Sequence, residues 1–378
     1  MRTCDAAIVG LGVSGAAITR ELARRGWRVI AFDRHAPPHT LGSSHGHSRI
    51  IRAAYFEDPL YVPLVLRAFD LWSELEARSG MPLFRSTGVL NIGRPDSTLV
   101  RGTLASVTAH DLPHELLDAT ALRARFPAFT PPDDTVGVLE RRGGMLAAEA
   151  CVDALLREAA QYGAQIHMDQ PVLDWAPEGD TVRVRTATGG VSCGSLVLAA
   201  GAWLPALLGT SWSGPQLTVE RQVIAFFTPR HDGASTTTAA GCPIALWEYE
   251  SGRYFYTLPD AGHGVKAAFH HEGEVTDALR VERMAGDDET AAIRARLETF
   301  SPAAAGPLRA TNICLYTNTP DHRFLIDAHP ASARTFIVSA CSGHGFKFAP
   351  AIAEEFISLL ETGRTPAALG PFSLDRFG

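Results

Sequence analysis

The chain has almost no lysine. Of its 34 basic residues only Lys266 and Lys347 are lysines, and arginine supplies the rest. Wherever a solvated positive charge is enough, arginine is used, so the two lysines mark places where a compact ammonium does what a planar guanidinium cannot. Both sit among small and apolar residues, in Gly264-Val265-Lys266-Ala267-Ala268-Phe269-His270 and in Ser342-Gly343-His344-Gly345-Phe346-Lys347. Other absences narrow the function. There is no basic cluster and the net charge is −7, which argues against nucleic acid or an anionic membrane surface as a partner. The six cysteines (Cys4, Cys151, Cys193, Cys242, Cys314, Cys341) form no CxxC pair and no zinc-ligand spacing. They fit reduced thiols in a cytoplasmic protein without a metal site, rather than a disulfide scaffold. No apolar run is built to cross a membrane. The uncharged stretch from Val191 to Gln216 is broken by Gly194, Gly201, Pro205 and Gly209 and reads as a strand, a turn and a short helix. The opening residues Ala6–Val13 pass for a short leader until they run into Thr19–Arg25, an amphipathic helix that a cleaved leader has no use for.

What is present is an ordinary globular chain, 46% hydrophobic and 20% charged, whose 378 residues suggest about two domains. Ala6–Val9 predict a buried strand. Gly10-Leu11-Gly12-Val13-Ser14-Gly15 predict a turn into a helix reaching about Arg25, and Arg28–Asp33 a second strand. Gly10 allows the tight turn, Gly12 lets a pyrophosphate approach the backbone, and Gly15 lets helix and strand pack closely. The helix N-terminus, at Val13 and Ser14, offers free N–H groups and a positive dipole end to phosphates. Asp33, followed by Arg34, closes the second strand where a ribose would lie. Strand, helix and terminal acid in register make this a dinucleotide motif, although the motif alone does not separate FAD from NAD. Further strands are predicted at Val182–Arg185, at Ser195–Ala199 leading into Gly201 and Trp203, and at Ala331–Ala340, with a helix from about Pro350 to Leu360. A nucleotide fold is thus assembled from separated stretches, which suits a flavoprotein with an inserted substrate domain.

Four longer motifs are more specific. They are Gly42-Ser43-Ser44-His45-Gly46-His47-Ser48-Arg49-Ile50-Ile51-Arg52, Tyr61-Val62-Pro63-Leu64, Cys314-Leu315-Tyr316-Thr317-Asn318-Thr319-Pro320-Asp321 and Ser342-Gly343-His344-Gly345-Phe346-Lys347. In order and spacing, over nearly the whole chain, they resemble the monomeric sarcosine oxidase and N-methyltryptophan oxidase family of D-amino-acid-oxidase-like flavoproteins. The resemblance implies an α/β fold with a Rossmann-like FAD-binding domain of residues 1–85, 145–215 and 318–378. A substrate domain with a mixed or antiparallel sheet, residues 86–144 and 216–317, would be inserted into it. It further implies FAD carried on Cys314 through an 8α-S-cysteinyl thioether, the other five cysteines being small packing residues. Ser43, Ser44, His45, Ile50, Val172, Gly201, Trp203 and Phe346 would adjoin the cofactor, with Gly343 and Gly345 allowing backbone to approach the ring.

The same resemblance implies roles around the ring. Arg52 and Lys347 would bind the substrate carboxylate, one as a fork and one as a point charge. Arg49 would add positive potential at the reactive face. Lys266 would assist oxygen, because a fixed cation stabilises the negative charge that develops on it. His270, on the same strand face as Lys266, would complete the pocket with Tyr316 and His344. Without the resemblance, Arg49 and Arg52 read as a solvated edge paired with Glu57 or Asp58. His270 then reads as a satisfied strand histidine, and Tyr316 as a core residue with one bonded hydroxyl.

The substrate's variable end falls on Gly241–Glu250 and Arg253–Tyr256, where the chain departs from the family pattern by a one-residue insertion before Pro259 and a deletion after it. Which of Tyr254, Phe255 and Tyr256 faces the pocket stays open. Tyr256 is taken as the substrate-side candidate, with Trp247, which either narrows the site for a small amine or stacks on an aromatic or cyclic one. The expected activity is oxidation of a secondary (N-methyl) amino acid such as sarcosine by O₂, giving an imine and H₂O₂, by a monomer. A cyclic or bulky substrate (pipecolate-, proline- or N-methyltryptophan-like) is the alternative. A dehydrogenase would leave Lys266 without a task, and a non-catalytic flavin-binding protein would leave both lysines, both arginines and Cys314 without one.

Overall fold

Ala6, Ala7, Ile8 and Val9 are all buried, as an apolar run without alternation must be when both faces of its sheet are covered. In the computed structural model, which describes residues 2–378 and leaves Met1 outside, this run ends strand β1 (Arg2–Val9). The chain turns through Gly10 into helix α1 (Val13–Arg24) and returns as β2 (Val29–Phe32), parallel to β1 with Ala6 opposite Val29. Helix and strand could not start this close together with any other residue at position 15. A Cβ on Gly15 would lie 1.8 Å from the Gly10 carbonyl oxygen.

Parallel neighbours cannot be joined by tight hairpins, so the sheet draws its strands from distant stretches. Gln165–His167 flanks β2, while Gly189–Leu198 flanks β1 and is itself flanked by Ser332–Ser339, all parallel. The predicted strand Ser195–Ala199 is therefore the last part of a ten-residue strand. The first part of that strand pairs antiparallel with Thr181–Thr186, which pairs with Val172–Glu178. Helices α1, Val62–Ser79, Ala148–Gln161 and Ala349–Thr362 share one apolar core, in which Ile18, Leu22, Val65, Val152, Leu155 and Phe356 are all essentially buried.

The second sheet is organised by Thr218–Phe227. Leu308–Asn318 runs antiparallel along its whole length, and Val265–His270 and Glu274–Thr276 lie on its other side. Arg253–Leu258, Ile244–Glu250, Val89–Gly93, Val136–Glu140 and Glu115–Asp118 continue the sheet. Every pair is antiparallel except Ile244–Glu250 beside Val89–Gly93, so the sheet is mixed. A small third sheet joins β3 (Ser48–Ile51) to Gly144–Ala147 and Phe84–Ser86. Among the described residues no helix is long and apolar enough to cross a membrane.

Alternation along the strand Ile244–Glu250 overturns one expectation. Leu246 borders the central cavity described below, but Trp247 turns to the opposite face. There it is 1% exposed, stacks on Phe300 with centroids 4.5 Å apart and meets Phe129 edge-on at 5.5 Å. Trp247 is a core residue and does not touch the site, because the period of two commits it to the side away from Leu246. Trp247→Ala should cost about 3–5 kcal/mol of stability in urea unfolding, while leaving the KM for any substrate unchanged.

Candidate active site

A cavity of about 460 Å³ runs from the turn after β1 to the face of the second sheet, within the size range of sites that take organic ligands. At one end lie Gly10, Gly12, Val13, Ser14, Asp33 and Arg34. Helix α1 follows Gly12, which offers no side-chain cap, and has no acidic residue in its first turn, so its dipole and the N–H groups beyond Val13 stay available to an anion. Gly10 has φ +95, and a Cβ there would strike the Ala199 carbonyl oxygen at 2.5 Å. Asp33 is locked from two sides. Its Oδ2 accepts from Leu11 N (2.7 Å) and its Oδ1 from His35 N (2.8 Å), leaving lone pairs for a ribose. Ser44 Oγ accepts from Val13 N at 3.1 Å, and the Arg34 guanidinium stands 5.4 Å from the Trp203 ring. Val172, Gly201 and Trp203 also line the cavity, as do Ser43 and Ile50 nearer Arg49 and Phe56, and Gly15 stays behind the wall in its packing role. An uncapped helix start, a Cβ-free turn and a fixed acid fit the diphosphate and ribose of a dinucleotide.

His45 does not belong to this wall. It is wholly buried outside the cavity lining, and its Nε2 donates to Gly42 O at 3.1 Å. Burial first, and the Arg49 charge second, push its imidazole down to about 4. The neutral ring props the Gly42–Gly46 loop from behind, so the resemblance misplaced it by one layer.

At the other end the cavity is lined by Arg49, Arg52, Lys266, His270, Cys314, Tyr316, Gly343, His344, Gly345, Phe346 and Lys347, which approach it from the second and third sheets and the C-terminal turn. Gly343 has φ +75, and a Cβ there would come within 2.9 Å or less of Tyr316, His270 and His271. At position 345 a Cβ would overlap the Ala340 carbonyl oxygen at 1.8 Å. The wall is therefore flush, as a flat ring against it requires. Lys347 is 4% exposed and its Nζ donates to His344 O (2.6 Å) and Tyr55 Oη (3.3 Å). Burial, then the neighbouring Arg52, push its ammonium down to about 7.

Arg52 is paired with Glu57, as the residues read without the resemblance suggest, but inside the cavity and not at a solvated edge. One guanidinium nitrogen donates to both Glu57 oxygens at 2.8 Å, and the other to Ala54 O at 3.1 Å. The guanidinium also lies 4.3 Å from the Tyr55 ring centre and 4.9 Å from that of Phe56. Burial works to raise the Glu57 carboxyl, but Arg52 brings it below the usual range, so it is ionised. Phe56 and Glu57 both line the cavity. Their signal in the sequence was proximity: two aromatics and an acid follow the arginine motif after Ala53 and Ala54.

Arg49 donates to Ser43 O (2.6 Å) and Ser48 O (2.8 Å), with Cys314 Sγ 3.4 Å away. Lys266 Nζ donates to Ser48 O (2.7 Å) and Gly46 O (3.1 Å), and burial followed by Arg49 pushes its ammonium well below its ordinary value. His270 Nδ1 lies 3.3 Å from Tyr316 Oη. Burial, then His271, keep the His270 imidazole neutral, and burial alone is the leading cause that brings His344 down to about 3. Burial likewise holds the Tyr316 phenol protonated, with Tyr256 adding to the effect. Tyr254 and Tyr256 share the cavity face of their strand. Phe255 also borders the cavity but packs its ring on Phe269 and Phe300 in the core. Phe56 and Tyr254 form an aromatic pair at 5.0 Å. Cys341, read from the sequence as a packing residue, lines the cavity as well, its thiol raised by burial. This end combines cations, neutral imidazoles and protonated phenols: it suits a carboxylate and disfavours a second positive charge.

Comparison with known proteins agrees with this geometry. The sequence family described as FAD dependent oxidoreductase matches residues 5–359. Monomeric sarcosine oxidase of Streptomyces avermitilis is 40% identical over 375 residues, covering 98% of this chain and 97% of that one. N-methyl-L-tryptophan oxidase of Salmonella agona is 35% identical over 378 residues, 99% of each. Among solved structures, the open form of NikD, an unusual amino acid oxidase essential for nikkomycin biosynthesis, superposes with a TM-score of 0.85. It is 23% identical, with 99% of this chain and 98% of that one covered, a likeness of fold. The position of Lys347 makes a test. Binding of acetate, followed through the flavin absorbance, should be tightest between about pH 5, below which acetate itself takes up a proton, and pH 7, and weaken about tenfold per pH unit above 7 as the ammonium loses its proton. Lys347→Met should bind weakly with no such slope.

Proposed function

Because this chain belongs to the FAD dependent oxidoreductase family, its cofactor is FAD, and we propose that it oxidises secondary amino acids such as sarcosine with O₂. The observation that carries this is the pair of unlike cations beside one phenol. Arg52 and Lys347 lie 4.3 and 5.0 Å from the Tyr55 ring centre, at the end of the cavity where Gly343 leaves a flat wall. A carboxylate accepts the Arg52 fork and the Lys347 ammonium there, with Glu57 giving up part of its hold on Arg52. The surrounding positive potential, with His270 neutral, lowers the proton affinity of the bound amine, so its nitrogen keeps a free lone pair. FAD, held by the Gly10–Gly15 turn, Asp33 and the wall at Gly343 and Gly345, would supply the two-electron oxidation of the carbon next to nitrogen, with O₂ taking up the electrons as H₂O₂. Water then adds to the imine and releases amine and aldehyde, glycine and formaldehyde in the case of sarcosine. Lys266 holds a fixed ammonium for the negative charge that develops on oxygen. Arg49 adds to the same potential.

Residues 1–85, 145–215 and 318–378 form the FAD domain in this proposal, and 86–144 and 216–317 the substrate domain. In support, the parallel sheet draws on the first set of ranges and the large mixed sheet almost wholly on the second. The enzyme acts as a cytoplasmic monomer, in keeping with its six free thiols and with the name of the Streptomyces relative. FAD is attached at Cys314, whose Sγ borders the cavity beside Arg49. After acid precipitation the yellow colour should stay in the pellet, and in Cys314→Ser it should pass to the supernatant.

One observation favours a larger substrate. Phe56, Tyr254, Leu246 and Leu258 give the cavity an apolar, partly aromatic border beyond the carboxylate site. Peroxide release against sarcosine, N-methyl amino acids, L-proline, L-pipecolate and matching primary amino acids decides between the two. Peroxide from N-alkyl or cyclic members alone is expected, the strongest response fixing the side chain. Peroxide from primary amino acids alone would sink the proposal.

A further inference from the structure

Lys266 is an unfavourable place for a charge. It is 4% exposed and faces the Arg49 guanidinium, and a buried cation without an anion normally surrenders its proton. Its two acceptors, Gly46 O and Ser48 O, are neutral carbonyls. The first lies in a short left-handed turn, with Gly46 at φ +93 and His47 at φ +65, and the second opens β3 directly after it. That backbone is pinned from behind by Glu149, in the first turn of the helix Ala148–Gln161. The carboxylate accepts from Gly46 N at 2.7 Å and from His47 N at 3.1 Å to each oxygen. Strand pairing puts it there: Ser48 lies opposite Ala147, and Ala148 N donates to His47 O at 3.2 Å.

The Gly46–His47 peptide is thus held at both ends. Its N–H points to the Glu149 carboxylate and its C=O to the Lys266 ammonium, so the peptide dipole lies aligned between an anion and a cation. We infer that Glu149 is the counter-ion of Lys266, acting through this peptide: a positioning residue that keeps the ammonium in place and charged. The inference rests on the function proposed above only for the task it gives Lys266. Burial works to raise the Glu149 carboxyl, but the backbone N–H groups of His47, of Glu149 itself and of Gly46 outweigh it, so it is an anion. The other groups that face Lys266 do not replace it. Arg49 opposes the charge, and Cys314 acts in its favour only as a thiolate, a form closed to it once its sulfur is the thioether proposed above. His45 and His47 are both depressed toward neutrality, His47 by burial and then by His263, which stacks on it at 3.8 Å. Arg309 adds a further positive neighbour to His47.

The scarcity of lysine makes the test direct. Holoprotein grown with ¹³Cε-lysine should show two lysine signals, assigned by Lys266→Met and Lys347→Met, each titratable by pH. Glu149→Gln should lower the Lys266 midpoint by about one pH unit or more and leave that of Lys347 where it is. Glu149→Asp, which keeps the charge one methylene further back, should fall in between, and it decides the matter should the glutamine variant not fold. An unmoved Lys266 midpoint in the folded variant overturns the inference. Dithionite-reduced enzyme mixed with oxygenated buffer separates this from the task of Lys266. Above the midpoint, Glu149→Gln should react with oxygen about tenfold more slowly for each pH unit by which the midpoint has fallen. Reaction of Lys266→Met at the rate of the unaltered protein would overturn the oxygen role while leaving the counter-ion to the lysine signals.

Discussion

Four cations, Arg49, Arg52, Lys266 and Lys347, converge on one cavity inside a protein of net negative charge, and the rest of the site is arranged to make that possible. Burying a charge costs several kcal/mol unless hydrogen bonds and counter-charges offset it. Each cation is met differently. Arg52 has a carboxylate in direct contact, Arg49 and Lys266 share the carbonyls of the Ser43–Ser48 loop, and Lys347 has one carbonyl and one phenol. The gradation matters for function. Only Glu57 competes directly for a cation, and it does so at the arginine best able to trade one carboxylate for another.

The neutral groups around these cations follow from the same electrostatics. His45, His270 and His344 have no room to protonate beside guanidinium and ammonium groups, and burial alone already weighs against it. A site built this way attracts a carboxylate and discourages protonation of a nearby amine. Those are the two conditions that oxidation of an amino acid at the carbon next to nitrogen demands. Flatness comes from elsewhere, from Gly343 and Gly345, where a Cβ has nowhere to go.

Much of this was legible along the chain. The β1–α1–β2 unit and the strand and helix at the C-terminus were readable because their signals are local: apolar runs of strand length, a glycine turn, and a helix start within a few residues. The lysines were legible for another reason. In a chain that spends arginine everywhere else, an ammonium among alanines and glycines stands out. Trp247 was misjudged because a one-residue insertion leaves the phase of a strand undefined, and in a strand one residue of phase exchanges core for cavity. His45 was misjudged because membership of a motif does not say which layer of a loop a side chain occupies.

Phe56, Cys341 and Glu149 needed the folded chain, and so did the choice between Glu57 and Asp58. The sequence by itself determined which residues could bind a dinucleotide and which cations were unusual, since both depend on residue type and local spacing. Tertiary structure alone decided which carboxylate answers which cation. Glu149 lies 103 residues from Gly46, and only the pairing of Ser48 with Ala147 brings the start of its helix against the turn that holds Lys266. An anion's effect on a cation depends on distance and on the dielectric between them, and neither exists before the strands have paired.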